Sequence, residues 1–110
     1  MAFTDEDMRA AMATTKPYTA VLLHHGPSYD DPGTPAIVWE HGRRNFELRA
    51  AGKLAVVLPV RDDSTLSGIG IFALDESETR AVMDADPGVV AGVFTYEVHP
   101  TRSFPGDALP

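Results

Sequence analysis

Residues 36 to 60 read AIVWEHGRRNFELRAAGKLAVVLPV, and the change of pattern inside them decides the fold class. Up to Ala51 apolar residues recur at helical spacing, whereas from Leu54 to Val60 they run on almost without interruption. The first half is therefore an amphipathic helix from Pro35 to about Ala51, and the second a strand expected to be covered on both faces. Gly52 between them supplies the helix stop. Thr34-Pro35 opens the helix, a capping side chain followed by the proline that the first helical position tolerates. Glu40, Arg43, Arg44, Glu47 and Ala51 gather on one side of the helix, which reads as its solvated face, with Glu40 and Arg44 at the favourable i, i+4 spacing. Ile37, Val38, Trp39, Phe46, Leu48 and Ala50 spread round most of the remainder. His41 falls among them, between Leu48 and Asn45 in angle, on the side turned toward the protein.

The segments on either side follow from the same rules. Upstream, Tyr18 to Leu23, YTAVLL, is a strand apolar on both faces and ended by His24, His25, Gly26 and Pro27. Before it, Thr4 caps a short helix over 4–14 whose first turn holds Asp5, Glu6 and Asp7, where the helix dipole favours acids. Lys16-Pro17 stops that helix, because the residue before proline is biased away from helical geometry. Downstream, RDDST over 61–65 turns the chain into a returning strand, Ser67 to Leu74. There Gly68 and Gly70 alternate with Ile69 and Ile71, thinning one sheet face and leaving room for a ligand. Asp75 caps a second core helix with Glu78 in capping-box position, running to about Ala85. Asp86-Pro87 forces extended backbone, Val93 to Val98 is the last strand, and the proline- and glycine-rich tail over 101–110 is expected to be irregular.

The core order is thus β-α-β-β-α-β, which closes most simply as an α+β, ferredoxin-like sandwich: a four-stranded antiparallel sheet with both helices on one face, plus an extra N-terminal helix. A chain of 110 residues makes one domain, 1–110, with its core over 17–100. Two helices cover only one face of a sheet whose strands are apolar on both. A second copy packing sheet to sheet is the physical expectation, hence a homodimer.

Composition narrows the function. Sixteen acidic against nine basic residues give a net charge of −7, which repels nucleic acid and anionic membrane surfaces. The absence of cysteine excludes disulfides, thiolate metal sites and a cysteine nucleophile. The start of the chain lacks a basic segment followed by an apolar run, and nothing approaches the roughly 18 apolar residues of a membrane span, which predicts a soluble cytoplasmic protein. No phosphate loop, nucleophile elbow or dinucleotide fingerprint is present, so no cofactor is expected. His24 and His25 are adjacent, so their side chains should point to opposite faces, and adding His99 and the loop acids yields no recognised ligand spacing; no metal site is expected.

One constellation carries chemistry. In this topology the last strand lies beside the first, and its start meets the end of the sheet where the first core helix begins. Asp86 and His41 therefore come together. A carboxylate holding one imidazole nitrogen fixes the tautomer and frees the other for proton transfer near neutral pH. The plain structural alternative is an inward histidine satisfied by a turn aspartate in a non-catalytic dimeric ligand-binding or interaction module. Trp39, Phe46, Phe72, Phe94 and Tyr96 read as core or dimer-interface residues. Arg43 and Arg44 read as solvated helix face, and Ser28, Tyr29 and Asp30 as part of a loop long enough to act as a lid.

The helix with H-x(n)-L-x(n)-G-x-L ahead of the second strand, followed by DADPGVVAGVFTYEVHP entering the last, resembles the YciI-like (YCII-related domain) family over about residues 17 to 100. The resemblance implies a dimeric α+β barrel-type assembly and a His-Asp active-site dyad carried onto His41 and Asp86. That family is similar in fold to muconolactone isomerases and small cofactor-free oxygenases, and it includes a dehydrochlorinase acting on chlorinated hydroxyquinols. A cofactor-independent lyase or isomerase acting on a small organic molecule is the implied activity. The N-terminal helix, the loop HHGPSYDDPGT and the tail TRSFPGDALP depart from the family pattern.

Overall fold

A computed structural model describes residues 2–110. In chain order the elements are α1 (Asp5–Met12), β1 (Lys16–His25), α2 (Thr34–Ala50), β2 (Leu54–Pro59), β3 (Leu66–Phe72), α3 (Glu76–Asp84), α4 (Pro87–Val90) and β4 (Phe94–Ser103). The strands form one antiparallel sheet in the order β2-β3-β1-β4. This is the ferredoxin-like arrangement expected from the element order, with α1 added in front and the single turn of α4 inserted before the last strand. Among the described residues no helix is long and apolar enough to cross a membrane.

The core lies between the sheet and one layer of helices. Val21 and Leu23 of β1, Leu54 of β2, Phe72 of β3 and Phe94 and Val98 of β4 point inward, joined by Met83 from α3 and by Val93. Ile37, Val38 and Leu48 of α2 pack on them half-buried. Burying such side chains stabilises by about 1.5–3 kcal/mol apiece, so this layer supplies most of the driving force for folding. Gly52 ends α2 with a φ of 74°, and Lys53 N–H reaches back to the Leu48 carbonyl at 3.0 Å, closing the helix as its sequence predicts. Asp75 caps α3 by accepting from Glu78 N–H at 2.7 Å.

Several boundaries move. The first helix stops at Met12, where the Thr14 and Thr15 hydroxyls donate to the Ala11 and Met12 carbonyls. Lys16-Pro17 therefore begins β1 and does not act as the helix stop. Thr34 is no cap: Gly33 holds that position without a side-chain bond, while Thr34 is buried and its hydroxyl donates to the Ser28 carbonyl at 3.1 Å. Asp86 is extended, but Pro87 starts the short α4. Strand β4 runs on through Pro100 to Ser103, beyond the limit expected from its prolines, because β4 is an edge strand and a proline lacking N–H is tolerated on its open side. Strand β2 is the other edge and is only partly buried, with Leu58 exposed, so it is not covered on both faces within this chain. Trp39 and Phe46, expected in the core or an interface, are each 70% exposed on the outer side of α2.

Candidate active site

His41 occupies the second turn of α2, three residues before Arg44 and four before Asn45, so all three lie close on one helix face. Its Nδ1 stands 2.8 Å from Asp86 Oδ1, and its side chain is 13% exposed. Asp86 is 1% exposed and is the N-cap of α4. Its Oδ2 accepts from the backbone N–H groups of Gly88 at 2.9 Å and Val89 at 3.3 Å. Both of these partners are N–H donors, so the Asp86 carboxyl acts here as an acceptor. Asp86 must then accept from His41 as well, which places the imidazole proton on Nδ1 and the free lone pair on Nε2.

Tight packing fixes this geometry. A methyl group on Gly88 would press on the Phe94 ring, with Cε2 only 2.9 Å away, so glycine lets α4 sit against β4 and carry Asp86 to the histidine. The Phe94 ring in turn lies 4.9 Å from the imidazole, inclined by 54°, and holds its plane. Asn45 faces the other ring nitrogen, with Nδ2 donating to Nε2 at 3.3 Å. The i, i+4 spacing of His41 and Asn45 is the sequence signal for this contact. Arg44, assigned to the solvated face, instead lies largely buried with Nη1 3.7 Å from Asp86 Oδ1, too long for a hydrogen bond. The signal for it was the i, i+3 spacing from His41. It sets a cation near Oδ1, the same carboxylate oxygen that meets the imidazole.

His41, Gly42 and Asn45 form one wall of a cavity of about 270 Å³ between α2 and the sheet. Its floor is Gly68 and Gly70 of β3, both buried, and its remaining lining is apolar apart from Ser67, with Val38, Val57, Met83 and Phe94 among the contacts. The Ser67 hydroxyl is buried and has no hydrogen-bond partner among the described residues. Trp39 takes no part in this wall and does not seal the histidine. The cavity thus combines an apolar interior with a few convergent polar groups at one end, the usual chemistry of a small-molecule site.

The other flagged residues lie elsewhere. His24 and His25 do point apart: His24 Nε2 meets Glu97 at 2.8 Å, while the His25 ring stacks on Tyr29 with centroids 3.6 Å apart. His99 takes the second Glu97 oxygen at 2.8 Å, and this double contact holds the Glu97 carboxyl below the usual carboxylate range. The loop carrying Ser28, Tyr29 and Asp30 is tied down and is not free as a lid, since Gly26 and Ser28 N–H groups donate to the Val93 and Gly92 carbonyls at 2.7 and 2.9 Å.

No protein-family model matches the sequence, and no curated protein matches it. The fold does have a solved counterpart. The 5-chloro-2-hydroxyhydroquinone dehydrochlorinase of Burkholderia phenoliruptrix AC1100, determined as a complex with 2,5-dihydroxybenzoquinone, superposes with a TM-score of 0.52 at 17% identity, over 74% of this chain and 90% of the enzyme. At that identity the likeness is one of fold.

Proposed function

We propose that this single-domain chain is a YciI-like enzyme without a cofactor, in which His41 moves a proton to or from a small ring-shaped organic molecule and Asp86 orients the imidazole. One observation carries the reading: His41 has one nitrogen fixed by a buried carboxylate while its ring edge reaches a cavity. The volume, about 270 Å³, lies just below the roughly 300–1,000 Å³ usual for ligand pockets and suits a single substituted ring. The chemistry is of the isomerisation or elimination type. In a dehydrochlorination Nε2 takes a proton from the ring substrate, the freed electron pair forms the new double bond, and chloride leaves with the C–Cl pair. The fold counterpart's named substrate, a chlorinated hydroxyhydroquinone, supplies the first compound to test.

The decisive experiment measures chloride release from 5-chloro-2-hydroxyhydroquinone, together with binding of 2,5-dihydroxybenzoquinone, for the parent chain and His41→Gln. Loss of turnover in a folded variant is the expected result. Turnover undiminished in His41→Gln would refute the proposal. A double-mutant cycle of His41→Ala with Asp86→Ala that couples in folding free energy, with no ligand bound by the parent, would assign the pair a structural role.

The outer face of the sheet supports a homodimer as part of the same reading. The register places Ala20 and Leu22 beside Ile71 and Ile69, and these beside Val56 and Leu58, an apolar surface that no helix of this chain covers. Sheet-to-sheet pairing of two copies would bury it, and a chain that stays monomeric by light scattering at micromolar concentration would count against that arrangement.

A further inference from the structure

Helix α1 is eight residues long and buries none of them. Isolated helices shorter than about 12–15 residues are marginal in water, so α1 needs an external surface even with its capping box, in which Thr4 and Asp7 each accept from the other's N–H. Its two methionines, at i, i+4, give it an apolar side, with Met8 51% exposed, and the exposed Phe3 precedes the cap. Asp5, Glu6 and Asp7 precede the methionines, and Thr4 holds the Asp7 carboxyl below its ordinary value, so this end is negative. Thr14 and Thr15 close the far end of the helix by their own hydrogen bonds, and every residue of α1 stays exposed within its own chain.

A complementary surface is open on the same molecule. Trp39 and Phe46 stand seven residues apart on α2, on one side of the helix and about 10 Å apart along its axis. Arg43 lies between them, Ala50 continues the ridge, and the Arg49 guanidinium stands 5.8 Å from the Phe46 ring. Beyond Arg49 comes the exposed Lys53, so the C-terminal end of this ridge is basic on the flank away from Glu40 and Glu47. Two exposed aromatics on one helix face mark a contact surface.

We propose that α1 of one copy docks on the Trp39–Phe46 ridge of a second copy. The helices run antiparallel, with Asp5, Glu6 and Asp7 against Arg49 and Lys53, and Met8 and Met12 laid along Phe46 and Trp39. Charge and length both match: the span from Phe3 to Met12 is about 13 Å, enough to cover both rings. This contact is separate from the sheet faces, and it assigns a role to the N-terminal helix that the ferredoxin-like core does not use.

Trp39 is the only tryptophan, so its fluorescence reports the ridge directly. The test compares the full chain with Met8→Ser/Met12→Ser and with Phe46→Ser, all at exposed positions, by light scattering and emission over a dilution series. The parent is expected to show Trp39 emission at shorter wavelength at high concentration, moving to longer wavelength as mass falls twofold on dilution. Both variants are expected to keep the solvated emission throughout and to have half the parent mass at high concentration. Identical emission and mass for parent and variants would overturn the proposal. So would shielded Trp39 in a parent whose mass does not change with dilution and equals that of the variants, because α1 would then cover the ridge of its own chain.

Discussion

Asp86 has two separable duties, and replacing it with Ala or with Asn pulls them apart. Alanine removes every acceptor at once: Oδ2 for the Gly88 and Val89 N–H groups at 2.9 and 3.3 Å, and Oδ1 for His41 Nδ1 at 2.8 Å. Loss of an N-cap costs about 1 kcal/mol, and donors left unsatisfied in a buried site cost a further 1–3 kcal/mol or so. Asp86→Ala is therefore expected to lower stability by about 3 kcal/mol, roughly 15 °C in Tm for a domain near this size. Asparagine caps as well as aspartate does, so Asp86→Asn keeps the bonds to α4 and should cost only about 1 kcal/mol. Its amide N–H groups then face His41 Nδ1, and the imidazole must move its proton to Nε2. Urea unfolding followed by circular dichroism reads the first effect, and ¹⁵N chemical shifts of the His41 ring read the second. Equal costs for Ala and Asn would refute the capping role. Retention of the proton on Nδ1 in Asp86→Asn would refute the assignment of Asp86 as the group that sets the tautomer.

Other consequences are as direct. Gly88→Ala forces a methyl into the Phe94 ring and should cost about 1–3 kcal/mol by the ordinary price of overpacking, visible in the same unfolding assay; a neutral result would mean that α4 is free to shift. Tyr96 donates to Asp84 at 2.6 Å, and burial with that carboxylate raises its pKa above the usual phenol value, so absorbance titration should show one tyrosine ionising late and Tyr96→Phe should remove it. Glu97 has a depressed pKa, so its pairing with His24 and His99 stabilises the fold above the ordinary carboxylate value, about 4.3, and is lost as pH falls through the lower folded value. The Tm difference between the parent and Glu97→Gln should accordingly be present near pH 5 and shrink on acidification; a difference that grows with acid would contradict the sign.

Wherever local chemistry and topology agreed, the sequence was legible. Gly52 ended its helix and Asp75 capped the next. The meeting of His41 with Asp86 followed from strand order alone, since both lie at one end of a sheet in which β4 flanks β1. The illegible parts share a cause: helix α2 carries apolar residues almost all the way round. Periodicity did not separate its two sides, so core and interface stayed undivided for Trp39 and Phe46 while Arg44 was sent to solvent. The extension of β4 past Pro100 was hidden because tolerance of a proline depends on whether a strand is at an edge, a fact of assembly and not of composition. Thr34 failed as a cap because its hydroxyl found the Ser28 carbonyl, a loop contact that no spacing rule describes.

Asn45 gives the site a property beyond shape. The Nε2 lone pair of His41 already has a partner, a carboxamide N–H at 3.3 Å, so in the proposed reaction an entering molecule must displace that donor before the proton moves. Carboxamides are weak acids and the contact is long, which sets a low threshold that an enol or phenol hydroxyl passes easily and a bare C–H does not. On the proposed reading the cavity selects by size and the amide by acidity, so a hydrocarbon that fits would leave unchanged.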